Sequence, residues 1–268
     1  MALITLGIMT SQKYSLVTLV GGGTTKSECS FLQAAGYTNY ENPMSIIQLA
    51  GGTNNENGVS ILQLAGYSNI KNNTSILQLA GFYNTETKNS FLQAALGANI
   101  ENTNTLLQFT GGVNYENRKS FLQAALGANL KNEGSIIQIA GGVNYENKKS
   151  VIQFGGINFK NKESFLRAAL IANVENEFSP IQLAGFYNGD GGVQIGGWNN
   201  EGKAAQFGVV NLKAPFQIGL LNVSEDDSLQ IGLFNVHEKY DDSFQIGLLN
   251  YNENSRFFKW MPFFNISK

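Results

Sequence analysis

The functional group that this chain repeats most faithfully is the carboxamide. Gln recurs at the fourth and Asn at the tenth place of a fifteen-residue row, as Gln33 with Asn39, Gln48 with Asn54, Gln93 with Asn99 and Gln108 with Asn114. A carboxamide is a poor acid, base or nucleophile, but it carries both donors and acceptors. Copies stacked one rung apart can therefore hydrogen-bond in a ladder, removing a cost of roughly 1–3 kcal/mol for each polar group otherwise buried unpaired. Such a ladder needs neighbouring strands in register.

Groups capable of acid-base or metal chemistry are scattered. His237, the sole histidine, lies in VHEKYDD beside Glu238, Asp241 and Asp242. With no nucleophile in view, its expected place is a solvated turn. Glu225, Asp226 and Asp227, with Asp190, come nearest to a Ca²⁺ set, yet their spacing matches no ligand loop and ordinary surface carboxylates are expected. Arg167 stands where Gln is due in SFLRAAL and is expected to hydrogen-bond an adjacent rung. Cys29 is the only cysteine, which excludes an intramolecular disulfide and a Cys-based metal site. The stretches GGGTT and NGDGGVQIGG lack the Lys-Ser/Thr of a phosphate loop. Trp198, Trp260, Tyr40, Tyr115, Tyr145 and Phe159 are expected to pack at edges, ahead of a ligand platform or a membrane girdle. No catalytic, cofactor-binding or metal-binding residue is assigned, and a non-enzyme without a cofactor is expected.

The rows that must position these amides include SFLQAALGANIENTN, TLLQFTGGVNYENRK, SFLQAALGANLKNEG and SIIQIAGGVNYENKK, copies of one unit. From Leu92 to Ile100 the chain alternates, with Leu92, Ala94, Leu96, Ala98 and Ile100 on one side and Gln93, Ala95, Gly97 and Asn99 on the other. That alternation predicts β-strand with one greasy and one amide-rich face. Bulk is exchanged between alternate rows, since Phe109 and Gly111 occupy the places of Ala94 and Leu96. The expectation is that greasy faces pack against facing layers of a core. Charge is confined to segments such as YENPM, IKNNT and LKNEG, where Asn is expected to take the left-handed angles of a reversal.

The predicted fold is all-β, a β-solenoid of about 17 short repeats. The alternative is an up-and-down transmembrane β-barrel of roughly 16–18 strands, because charge-free runs of suitable length recur between charged turns. A single repeat domain over 1–268 is expected. Residues 1–29 form a degenerate cap, with Thr18 in the place of Gln and Thr24 in that of Asn, and 30–188 carry the regular repeats. Residues 189–254 carry shorter QIGxxN repeats, where the lost residue calls for a bend or bulge at a Gly, and 255–268 form a second cap with Pro262 on an open edge. The opening MALITLGIMTSQKYS reads as a first strand, not a signal peptide.

The 268 residues carry a net charge of -2 and only 14% charged side chains, so no basic stripe offers itself to nucleic acid.

The units IIQLAGGTN, ILQLAGYSN, PIQLAGFYN and QIGLLN, with the ending FFKWMPFFN, resemble bacterial surface-repeat proteins built from Gln-x-Ala/Gly-Gly-x-x-Asn modules with a Met-Pro-apolar-apolar-Asn cap. The resemblance implies a non-enzymatic structural or binding scaffold of the cell surface or outer envelope. Its expected partners are a surface polymer, a protein or further copies of itself, with a membrane only if the chain is a barrel. Two other functions are compatible with the residues: an outer-membrane β-barrel pore, and an ice- or polysaccharide-binding plane formed by an exposed Gln/Asn face.

Overall fold

The computed structural model describes residues 2–5, 9–239, 241–255 and 258–267, and every regular element among them is a β-strand. The chain divides into two compact units, Met1–Gly141 and Gly142–Lys268.

In the first unit each repeat lies parallel to the next and in direct register, Gln93 beside Gln108 and Asn99 beside Asn114. A coil consists of a longer strand such as Lys88–Ala95, a bend, and a short strand such as Ala98–Ile100, after which Thr103–Thr110 begins the next coil. Fifteen residues therefore complete one turn of a β-solenoid. The corner after the short strand is made by an acidic or basic residue. Glu41, Glu56, Lys71, Glu86, Glu101, Glu116 and Lys131 all have φ between 48° and 53°, a region that costs a side chain about 1–2 kcal/mol. Asn was expected there. The Asn that follows instead turns inward, and its carbonyl receives a backbone N–H from the coil before, as in Asn102 N–H to Asn117 Oδ1 at 2.9 Å. Near the start, Thr18 lies beside Gln33 as expected, but Thr25, one place beyond Thr24, lies beside Asn39.

The second unit shortens the coil. Asn144 pairs with Asn158 fourteen residues on, and the register between the strands Ile152–Phe159 and Leu166–Val174 shifts at Gly155/Ile157. Gln194, Gln206, Gln217, Gln230 and Gln245 then stand in parallel register on long strands. Each of these strands buries both its Gln and its Asn although the two stand five places apart, as Gln217 and Asn222 do, so the alternation breaks between them. At Gly219 a Cβ would sit 2.3 Å from the Gly208 carbonyl oxygen and 2.5 Å from Asn211 Nδ2, so only glycine fits. Trp260–Ser267 closes the unit antiparallel to Ser243–Asn252, with Asn265 opposite Gln245. The ladder between these two strands passes over Pro262, with Phe263 opposite Gly247 and Met261 opposite Asn250.

Two expectations are overturned. An up-and-down barrel needs antiparallel neighbours, whereas the described neighbours are parallel repeats with the single exception at the last strand, so the barrel and its pore are excluded. The greasy face does not fill a core. In the coil from Ser90 the buried residues are Ser90, Gln93, Ala95, Asn99 and Asn102, while Phe91 is 53% and Leu96 77% exposed. A fifteen-residue turn encloses so narrow a space that small and amide side chains fill it, and the bulky ones point out. The Gln/Asn plane is thus closed to ice or polysaccharide.

Candidate functional site

The interior is a set of hydrogen-bonded files. In the first unit Gln63, Gln78, Gln93, Gln108, Gln123 and Gln138 each donate through Nε2 to Oε1 of the Gln one coil earlier, at 2.6–3.1 Å. The Asn file runs the other way. Asn39, Asn54, Asn69, Asn84, Asn99 and Asn114 donate through Nδ2 to Oδ1 of the Asn one coil later, at 2.8–3.0 Å. The second proton of each Asn reaches a backbone carbonyl, as in Asn99 to Phe109 at 3.0 Å. The second unit keeps both senses, with Gln245 donating back to Gln230 at 2.7 Å and Asn235 donating on to Asn250 at 2.7 Å. Gln33 turns its Nε2 to Asn42 Oδ1, leaving Gln48 Nε2 unpartnered, and Gln245 Oε1 is unpartnered on the last Gln rung.

Two further files complete this interior. Row-opening hydroxyls hydrogen-bond one another, as Ser30 with Ser45 at 2.8 Å, or donate to the Gln file, as Ser120 to Gln108 Oε1 at 3.2 Å. The corner Asn side chains donate back to backbone carbonyls, as Asn102 to Asn84 at 3.2 Å. The signal for this second Asn file was present in the sequence, where Asn42, Asn57, Asn72, Asn102, Asn117 and Asn132 recur three places after the first Asn.

The scattered candidates are not brought together. His237 is buried, not solvated: it takes an inward place on its strand, beside Ser224 and Asn252, and its Nε2 donates to the Asp241 carbonyl at 3.0 Å. Glu225 pairs with Lys239 at 2.7 Å and Lys213 at 3.8 Å, and the hydrogen bond from Lys239, with the charges of both lysines, holds its carboxyl below the usual range. Asp227 accepts the Asp242 N–H at 2.9 Å. Asp190 faces Glu201, and the contact between the two carboxyl groups raises the pKa of Glu201. Among the described residues, no group of three His, Cys, Asp or Glu side chains is placed to hold a metal ion.

Arg167 replaces a rung, as expected: its Nε donates to Gln153 Oε1 at 3.2 Å and its Nη2 to the carbonyls of Asn161 and Glu177 at 2.8 and 3.1 Å. Burial pushes the guanidinium down to about 9, opposed by the nearby Glu177 charge. The aromatic residues stack between coils, Tyr145 on Phe159 at 5.6 Å and Tyr251 against Trp260 at 4.8 Å.

What remains free is the outer face of the longer strands. In the first unit Phe31, Ile46, Ile61, Ile76, Phe91, Leu106, Phe121 and Ile136 form one exposed file. Beside it run Leu32, Ile47, Leu62, Leu77, Leu92, Leu107, Leu122 and Ile137, half-buried. A third file carries Leu49, Leu64, Leu79, Phe109 and Ile139, interrupted by Ala94 and Ala124. Direct register places equivalent side chains side by side along each file. The acidic and basic corner residues lie outside these three files. Contiguous apolar surface on this scale marks a site of interaction.

No protein-family model matches the chain, and no curated protein or solved structure matches it either.

Proposed function

We propose that this protein is a non-enzymatic scaffold of a bacterial cell surface or envelope that binds through the outer face of its coils. The supporting observation is the inversion of its polarity. The amides that could have served as recognition groups are consumed in holding one coil to the next, and the bulky apolar side chains are turned outward in files along the coils. A catalyst needs a positioned acid, base, nucleophile or metal, and the dispersed carboxylates and buried His237 supply no such set. The likeness of the Gln-x-Ala/Gly-Gly-x-x-Asn units to surface-repeat proteins is the reason for placing the scaffold at the surface.

The test of location is labelling of intact cells with a membrane-impermeant amine reagent. The exposed turn lysines, among them Lys71 and Lys213, should react before lysis. Labelling that appears only after lysis refutes the placement.

A further inference from the structure

We propose that the apolar face of the Met1–Gly141 unit is the docking surface for a second copy of the same chain. The inference deepens the scaffold reading by naming the partner, and it is tested on the purified protein, so it fails or survives independently of cellular location.

The shape of the face carries the argument. From Leu79 to Gly141 two neighbouring outward positions exchange bulk from coil to coil. Leu79 stands with Gly81, Ala94 with Leu96, Phe109 with Gly111, Ala124 with Leu126, and Ile139 with Gly141. Leu96 and Leu126 project, 77% and 78% exposed, and the register of the strands puts them two coils apart, roughly 10 Å at the spacing of a sheet. A shallow groove of about 660 Å³ runs along the whole stretch from Leu79 to Gly141, its lining including Ala95, Phe109, Ala125 and Ile139, and the glycine coil at Gly111 forms the gap in it between Leu96 and Leu126. At Gly111 the gap is enforced, because a Cβ there would stand 2.5 Å from the Leu96 carbonyl oxygen.

A surface whose projections and gaps repeat in antiphase is complementary to itself. A second copy turned over and set one coil out of step presents Gly111 to Leu96 and Ala94 to Phe109. That is the reciprocal contact of an isologous dimer, in which each pairing occurs twice.

The overlap sets the strength of such a pair. In this register six coils of the unit, from Leu64 to Ile139, face one another, and at ~4.8 Å per coil and about five residues of strand at ~3.3 Å they give roughly 480 Å² on each partner. A standard dimer buries about 800 Å² on each partner, so this pair belongs to the small, weakly associating class. The charges of this unit balance, seven Lys or Arg, among them Lys88, Arg118 and Lys119, against seven Glu. The unit therefore lacks the net basic charge by which an apolar face is drawn to anionic lipid.

Sedimentation equilibrium of the whole chain should approach twice 29.2 kDa at about 100 μM, as a small interface requires. Leu96→Glu with Leu126→Glu should weaken association roughly a hundredfold, about tenfold for each side chain, while leaving the far-UV circular dichroism of the sheet unchanged. Ala94→Leu with Ala124→Leu is the sharper test. It makes the face more apolar, and the third file already holds Leu64 beside Leu79, so the coils accommodate the change. Filled gaps should nevertheless weaken the dimer at least tenfold. A wild-type chain that stays monomeric overturns the proposal, as does flotation of a monomer with phosphatidylcholine vesicles. Tighter association of the Ala94→Leu, Ala124→Leu variant also overturns it, by showing unspecific apolar adhesion.

Discussion

Gln93→Leu tests whether buried amides, and not buried hydrocarbon, hold the coils together. Gln93 donates to Gln78 Oε1 at 2.8 Å and accepts from Gln108 Nε2 at 3.1 Å and Thr105 Oγ1 at 3.2 Å. Leucine nearly matches its volume, so little cavity opens and the overpacking cost is small. The loss lies in the neighbours: Gln78 Oε1 and Gln108 Nε2 keep their places in a closed interior and lose their partners, while the Thr105 hydroxyl can rotate. At about 1–3 kcal/mol for each stranded group, two strand together about 2–6 kcal/mol. The opposite exchange on the outside, Ile100→Gln, removes only part-buried apolar surface and should cost under about 1 kcal/mol. Equilibrium unfolding in guanidinium, accompanied by amide hydrogen exchange on the flanking coils, measures both, since repeat arrays need not unfold as one cooperative unit. If Gln93→Leu costs no more than Ile100→Gln, the ladder is not what stabilises the array, and the account of the interior fails.

Gly219→Ala should destabilise the second unit by about 2–4 kcal/mol, read as a lower denaturation midpoint, because the added methyl meets the Gly208 carbonyl and Asn211 Nδ2 within 2.5 Å. Glu101→Gly should raise stability by about 1 kcal/mol in the same assay, by relieving a left-handed corner at φ 52°. Arg167→Gln, which restores the rung type of the other coils, should stabilise the protein by about 1–3 kcal/mol at neutral pH, since it removes a buried charge held by carbonyls and an amide alone. The folded guanidinium releases its proton near 9, while the unfolded chain keeps it to much higher pH. Between those values the unfolded state binds the extra proton, so wild-type stability climbs with pH and the advantage of Arg167→Gln shrinks above about pH 9. An advantage that stays constant from pH 7 to pH 11 would contradict this assignment.

Much of the architecture was legible in the residues. Gln at a fixed place with Asn six later, both constant while Leu, Ile and Phe interchange around them, announced in-register rungs, and the rungs are there. The row shortened to QIGLLN announced a break in the alternation, and Gln217 and Asn222, five places apart, are both buried. What could not be read was the sense of the alternation. Period two says that Leu92 and Gln93 point opposite ways, and the usual partition of apolar side chains to the inside then picks the wrong one. The deciding quantity is the width of a fifteen-residue turn, a property of closure that no single row displays. The corner misled for a related reason. Asn is the residue that best tolerates φ near 50°, yet here its side chain is worth more as a buried link between coils, and Glu or Lys takes the strained place. The charged neighbours of His237 point to a solvated turn. The histidine instead continues the inward rhythm of Gln230 and Asn235, a beat visible only once the coil is closed.

The opposed senses of the Gln and Asn files have an electrical consequence. Stacked amides sum their dipoles as the peptide units of a helix do, and a lone file would concentrate partial charge at its tips as it lengthened. Here each added coil contributes one moment to the Gln file and an opposed one to the Asn file paired with it, so those two files together are close to neutral along their length. Duplication of a row therefore extends the array without charging its ends, which removes one physical restraint on how many rows such a gene can accumulate.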